Sequence, residues 1–258
     1  MINEDLKQHI ITSLRENTRI DGRRREDFRE IVVEYGISGS AEGSARVRIG
    51  GTEVLAGVKI SVEKPYPDTP DQGNLMVNAE LLPLSNPNFE PGPPGIDSIE
   101  LARVVDRGIR ESKAIDSKKL CIESGEKVWM VSIDICSIND EGNLFDASAL
   151  ATIAAIQDAV FPEYDGTSVD YKHLSDKKLP LDKIPISITV LKVGDQIIVD
   201  PTKEEEESIS ARLTVASTEN GELCAMQKGG DMPLTTEEIQ TMVELALDKA
   251  KELRSKLK

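Results

Sequence analysis

The chain has 258 residues, 46 Asp and Glu against 31 Lys and Arg, and a formal charge of −15. That length suffices for one large domain or two small ones with a real core. The acidic balance excludes broad electrostatic capture of nucleic acid or anionic lipid, and 3% aromatics exclude a platform of many stacked rings, but a local basic patch stays open.

Residues 3–16 predict an amphipathic helix, with Leu6, Ile10 and Leu14 at four-residue spacing. A turn with a basic cluster, RIDGRRR, follows at 19–25. Strand-like runs come next at 30–37, 45–49 and 53–61, the last two joined by Gly50-Gly51, a hairpin signal. Residues 63–97 hold eight of the thirteen prolines, so this stretch is irregular apart from one short strand at 75–82. Long irregular connections in compact domains are often functional.

A helix is predicted over 98–112, capped by Ser98, with Leu101, Val104, Val105, Gly108 and Ile109 on one face. Residues 127–137 form an apolar strand. A turn at 139–143 then leads into an Ala-rich helix at 146–160, with Asp146 as cap or first-turn acid. Residues 161–183 are polar and punctuated by Pro162, Gly166 and Pro180, which predicts a linker. Strands restart at 184–193, 196–199, 210–216 and 222–227, the last two joined through Asn220-Gly221. Thr235 with Glu238 fits a capping box for a final helix. Strands then helices thus occur twice. The expectation is an α+β fold of two similar lobes packed into one unit. Its parts are an N-terminal helix and turn (1–20), a first lobe (21–160), a linker (161–183) and a second lobe (184–258).

Cys121, Cys136 and Cys224 form neither a CxxC nor an even set, which points to free thiols in a reducing compartment. His9 and His173 are too far apart in sequence to suggest a metal site or a nucleophile relay. No charged-then-apolar leader and no run of about 18 apolar residues occurs, so a cytoplasmic protein without membrane attachment is expected. Dinucleotide-binding, P-loop, HExxH and GxSxG motifs do not occur.

Two features remain. Arg103, Arg107 and Arg110 lie within about 60° of one another on the helical wheel, opposite the apolar face, with Lys113 extending the stripe. A ridge of Arg suits successive phosphates. On the residues alone, a solvated face with Asp106–Arg110 and Arg107–Glu111 ion pairs is the simpler reading. The second feature is DPTKEEEE at 200–207, either a solvated acidic loop or carboxylates for a metal or an acid.

Together these segments resemble the RNase PH family over nearly the whole chain. The matching pieces are RIDGRR at 19–24, GSARVRIGGTEVLAGVK at 43–59, SIELARVVDRGIRES at 98–112, the strand-turn-helix at 127–160 and DPTKEEE at 200–206. PYPDTPDQGNLMVNAELLPL at 65–84 and FEPGPP at 89–94 are similar to the non-catalytic RNase PH-like subunits of the archaeal exosome ring. The resemblance implies an RNase PH-type fold and a catalytic RNase PH-like partner, the two forming a trimer of heterodimers. It also implies a central channel for single-stranded RNA and RNA-binding cap subunits on one face.

Family chemistry is phosphorolysis: inorganic phosphate attacks the last 3′ phosphodiester bond and releases a nucleoside diphosphate. Active members bind the phosphate where the Ala-rich helix starts, with a Gly-rich turn, Ser or Thr, and then Arg. Helix N–H groups, a hydroxyl and a guanidinium all favour a dianion. Here Leu144 and Phe145 stand at those places, and Asp146 adds negative charge. Ile96-Asp97 stands where catalytic subunits carry a basic pair. Asp200 and Glu206 match the family's acidic pair and, without a phosphate site, read as a vestige or as helpers of folding.

The resemblance therefore implies a non-catalytic, RNA-binding scaffold with no catalytic residue, no metal and no cofactor in this chain. The assembled complex would use inorganic phosphate and Mg2+. Arg103, Arg107, Arg110 and Lys113 would contact RNA, while Arg23–Arg25 would serve folding or ring contacts. Two rivals stay open: an exoribonuclease active by itself, favoured by Asp200, and a purely structural ring subunit without RNA contact, favoured by the net acidity.

Overall fold

The computed structural model describes residues 4–258. The helix expected over 3–16 is α1, Glu4–Arg15, which buries Ile10 and Leu14; residue 3 lies outside the described residues. The first lobe is a six-stranded sheet. It comprises β1 (Ile31–Tyr35), β2 (Gly43–Ile49), β3 (Thr52–Glu63), β4 (Asn74–Leu81), β5 (Cys121–Glu123) and β6 (Lys127–Asn139). Its order is β1-β2-β3-β6-β4, with β5 on β6, and only β4 runs parallel to its neighbour. Thr52, Val54, Ala56, Val58 and Ile60 alternate inward along β3.

Two helices lie against this sheet and also touch the second one: α2 (Ile96–Ser112) and α3 (Leu144–Asp158). Because α3 is packed on several sides, only small or apolar residues fit over most of its length, and Ala147 through Ile156 are all buried. Gly43 lets β2 approach α3: a Cβ there would lie 2.4 Å from the carbonyl oxygen of Ala155.

Helix α2 starts two residues earlier than the sequence suggested. Gly95 holds the cap position, and the Ser98 hydroxyl instead donates to the carbonyl of Ala79, tying the helix to β4. Segment 161–183 is not a plain linker. It contains a hairpin of β7 (Val160–Tyr164) and β8 (Val169–Lys178), with Trp129 packed on Phe161 and Tyr164. Pro162 falls where the register shifts, and Gly166 turns at φ 93°, so neither breaks the ladder.

The second lobe is a four-stranded antiparallel sheet ordered β10-β9-β11-β12. Its strands are β9 (Ile186–Val193), β10 (Gln196–Val199), β11 (Ala211–Ser217) and β12 (Leu223–Gly229). A single turn, α4 (Lys203–Glu206), follows β10, and α5 (Thr236–Arg254) packs on β9 and β11. The capping box on α5 forms as expected: Glu238 N–H donates to Thr235 Oγ1 at 3.2 Å, and Thr235 N–H to Glu238 Oε2 at 2.9 Å. The three cysteines are free and partly buried. Among the described residues, no helix is long and apolar enough to cross a membrane.

Candidate functional site at the start of the alanine-rich helix

The fold brings Leu144, Phe145, Asp200 and Glu206 together. Asn143 is the connector: its backbone N–H donates to Glu206 Oε1 at 3.1 Å, and its Nδ2 to Asp200 Oδ1 at 2.9 Å. It sits in the left-handed region at φ 66°, a conformation Asn tolerates. Gly142 just before it lies so close to the chain after β10 that a Cβ would come within 2.5 Å of the Pro201 carbonyl oxygen. The turn between β6 and α3 thereby rests on the second lobe.

The acidic run is not a solvated loop. Asp200 is fully buried, at φ 46°. Its Oδ2 accepts from Arg23 Nη1 at 2.7 Å and from the N–H of Arg29 at 2.8 Å, and its Oδ1 accepts from Arg29 Nη2 at 2.7 Å. Burial alone pushes this carboxyl up, but the Arg29 and Asn143 hydrogen bonds outweigh it and hold Asp200 below the usual carboxylate range. Glu205, equally buried, pairs with Arg19, which also donates to the carbonyls of Val199 and Asp200. Arg19 and Arg23 of the basic turn are therefore committed to joining the N-terminal segment to the second lobe. Arg25 is likewise bound within the fold, to Asn17 and Gln196.

Leu144 and Phe145 line a cleft of about 430 Å³ formed by α2, α3, α4 and β11. Its charges are the reverse of a phosphate site: Asp97, Glu100, Asp140, Glu206 and Glu207 against Lys203 and Arg212. Both cations are engaged. Lys203 Nζ lies 2.6 Å from Asp140 and 3.5 Å from Glu206. The Arg212 guanidinium lies 4.3 Å above the Phe145 ring and 2.6 Å from Glu100. Burial pushes the Glu206 carboxyl up despite Lys203. A dianion entering this cleft meets an aromatic face, an isobutyl group and excess negative charge.

Nor do Asp140, Asp200 and Glu206 fit a family-type Mg2+, because their oxygens are already committed to arginine, lysine and amide donors. Among the described residues, no group of three or more His, Cys, Asp or Glu is arranged to hold a metal.

The basic residues of α2 lie beyond this cleft. Arg103 and Arg107 are exposed and form no ion pair among the described residues, so the expected Arg107–Glu111 pair does not form. Arg110 does pair with Asp106, at 2.7 Å, and also donates to the carbonyl of Leu75 at 3.1 Å. Arg103 and Arg110 line a groove along β4, whereas Arg107 faces β12. Lys113 leaves the stripe: it is the C-cap, at φ 54°.

Sequence reasoning missed Arg29, Asn143, Lys203 and Arg212 as parts of this site. Arg29 and Asp200 are 171 residues apart, so no local pattern links them. For Arg212 a weak signal existed, a lone cation inside an apolar strand.

Comparison with known proteins shows the family. The 3′ exoribonuclease family matches in both its parts, domain 1 over residues 27–162 and domain 2 over 183–249. The exosome complex component Rrp42 of Methanothermobacter thermautotrophicus is 44% identical over 255 residues, covering 98% of this chain and 94% of that protein. Its counterpart in Methanopyrus kandleri is 46% identical over 258 residues, covering 98% and 96%. A chain of the Archaeoglobus fulgidus exosome with RNA bound to the active site superposes with a TM-score of 0.92 at 45% identity, covering 99% of this chain and 98% of that one. Rice Rrp46, at 18% identity and a TM-score of 0.68, shares the fold.

Proposed function

The chain belongs to the RNase PH-like 3′ exoribonuclease family, and from that membership we propose that it is an RNA-binding, scaffolding ring subunit of an exosome that has no phosphorolytic site of its own. The observation that carries this reading is the cleft at the start of α3. Leu144 and Phe145 supply neither hydroxyl nor guanidinium, and Arg212 is turned onto the Phe145 ring and Glu100. A catalytic RNase PH-like partner would supply the phosphate loop, three such heterodimers would close a ring, and RNA-binding caps would sit on it. The assembled cytoplasmic complex would use inorganic phosphate, with any Mg2+ held outside this chain's committed carboxylates. Asp200 and Glu206 serve folding: one ties the lobes, the other receives the start of α3.

Incubated with single-stranded RNA and inorganic phosphate, the purified chain should release no nucleoside diphosphate. Phosphate-dependent turnover by the chain alone overturns the reading.

RNA contact is assigned to Arg103 and Arg107 first, because their guanidinium groups form no ion pair among the described residues, then to Arg110 and Lys113. In the reconstituted complex, Arg103→Ala with Arg107→Ala should weaken single-stranded RNA binding. The slope of log affinity against log salt should fall by about 0.7 per lost phosphate contact. An unchanged affinity and slope would favour a purely structural subunit.

A further inference from the structure

One groove carries the end of the α2 stripe, Arg110 and Lys113, onto a second surface. It lies between residues 65–73 and the C-terminal end of α2, encloses about 730 Å³, and is lined by Tyr66, Gln72, Arg110, Lys113, Lys118 and Lys183 among others. Two carboxylates also line it. Asp182 pairs with Lys119 at 2.8 Å, and Asp116 accepts the N–H of Lys118 at 3.0 Å in a short 3₁₀ turn. Four cations line this hollow: Lys113 has no ion pair among the described residues, Arg110 pairs with Asp106 at 2.7 Å, Lys183 with Glu222 at 3.3 Å, and Lys118 lies 3.9 Å from Asp71. These pairs are solvent-exposed and weak, so a phosphate can take the place of a carboxylate on them.

The groove also holds an aromatic ring where aromatics are scarce. Tyr66 is 60% exposed. Exposed Tyr171 differs in being covered by Lys59, 5.1 Å from its ring centroid. Pro65 and Pro67 flank Tyr66 and restrict its backbone, and its carbonyl accepts the N–H of Thr69 at 3.1 Å. The loop is fastened to the 3₁₀ turn by two further bonds, Gly73 N–H to the Ser117 carbonyl at 2.8 Å and Ser117 hydroxyl to Gln72 Oε1 at 3.0 Å. The ring is therefore presented on a tethered loop, which lowers the entropy lost on binding.

We propose that this groove is a nucleotide subsite for single-stranded RNA, with a base stacked on Tyr66 and its phosphate held by Arg110, Lys113 and Lys118. The proposal rests on the RNA-binding reading of the chain and extends it to a second surface. An unpaired strand is required, because only a splayed base offers its face to a tyrosine. Gln72 keeps its amide N–H groups for a base edge, since its bond to Ser117 uses only Oε1.

The test uses the assembled ring and a single-stranded oligoribonucleotide. Tyr66→Ala should weaken binding about 5- to 100-fold with the salt slope unchanged, as expected for loss of one stacked base. Lys113→Ala with Lys118→Ala should instead lower the slope. Tyr66→Trp should retain affinity, and its fluorescence, taken as the difference from the parent protein with Trp129, should be quenched by single-stranded RNA. If Tyr66→Ala binds normally while Arg103→Ala with Arg107→Ala still lowers the slope, the subsite is overturned and the RNA reading stands. If neither variant changes binding, the RNA reading itself fails. If Tyr66→Ala disrupts the ring yet leaves RNA binding per ring unchanged, the residue is a subunit contact and the proposal falls.

Discussion

Asp200→Ala should destabilise the fold by about 3–5 kcal/mol, lowering Tm by on the order of 10 °C. The reason lies in what is left behind. Arg29, with a side chain only 11% exposed, loses its carboxylate, Arg23 keeps only Asp21, and Asn143 Nδ2 loses its acceptor. A buried cation stripped of its partner costs more than the pair contributes. Thermal or urea unfolding at neutral pH measures the effect. Glu204→Ala, on the exposed face of the same acidic run, should stay within about 0.5 kcal/mol of the parent. Equal effects of the two substitutions would show that Asp200 is not the tie inferred from its geometry. The pH dependence has a definite sign. Asp200 titrates below the usual carboxylate range in the fold, so its stabilisation is present above the unfolded pKa near 3.8 and is lost as pH falls through the lower folded value.

Asp146→Asn should do the opposite: it should stabilise the protein at neutral and mildly alkaline pH. Asp146 is fully buried in the first turn of α3. Its Oδ1 accepts the N–H of Thr189 at 2.7 Å, whereas its Oδ2 has no partner. Neutral groups face it, namely Asn143 on its own side and Thr189 of β9, which is bonded in turn to Thr214 of β11; the charge nearby is Asp200, another anion. Burial is the main cause that pushes this carboxyl from 3.8 to about 8.

Below pH 4 both folded and unfolded chains carry the proton. Between about 4 and 8 only the folded chain keeps it, so stability falls as pH rises, and above the folded value the fall ends. At about 1.4 kcal/mol per pH unit the loss amounts to roughly 6 kcal/mol. An amide at position 146 keeps the acceptor for Thr189, cannot ionise, and adds a donor next to Asn143 Oδ1, which has no partner. The stability of the variant minus that of the parent should therefore grow from near zero at pH 4 to its maximum near pH 8. Taking this difference cancels the Asp200 contribution. Parallel pH profiles would rule out a buried proton on Asp146.

Most of the elements were legible in the sequence because their causes are local. The alternation along β3, the Thr235–Glu238 capping box and the alanines of α3 each act within a few residues, and each appears where the pattern placed it. The hairpin at 160–178 was not legible. Its prolines and glycine read as punctuation, and only the register shows Pro162 sitting at a bulge. Ser98 was legible as a polar residue at a helix start, but Ala79, its actual partner, lies on a strand that no local rule connects to it.

For the candidate site, the sequence by itself determined which chemistry was missing. Leu144 and Phe145 cannot donate to a phosphate wherever they are placed, because side-chain hydrogen-bonding capacity is a property of residue type. The sequence also determined that three arginines share one helical ridge, since helical periodicity is fixed. What only the tertiary structure decided is how each charge is used. The run DPTKEEEE looked like a solvated loop, but Asp200 and Glu205 are buried against Arg23, Arg29 and Arg19, and Arg110 is held by Asp106 while Arg103 and Arg107 form no ion pair among the described residues. The energy of a charge depends on its burial and on which opposite charges lie within a few ångströms, and the fold supplies those neighbours from as far as 186 residues away in the chain.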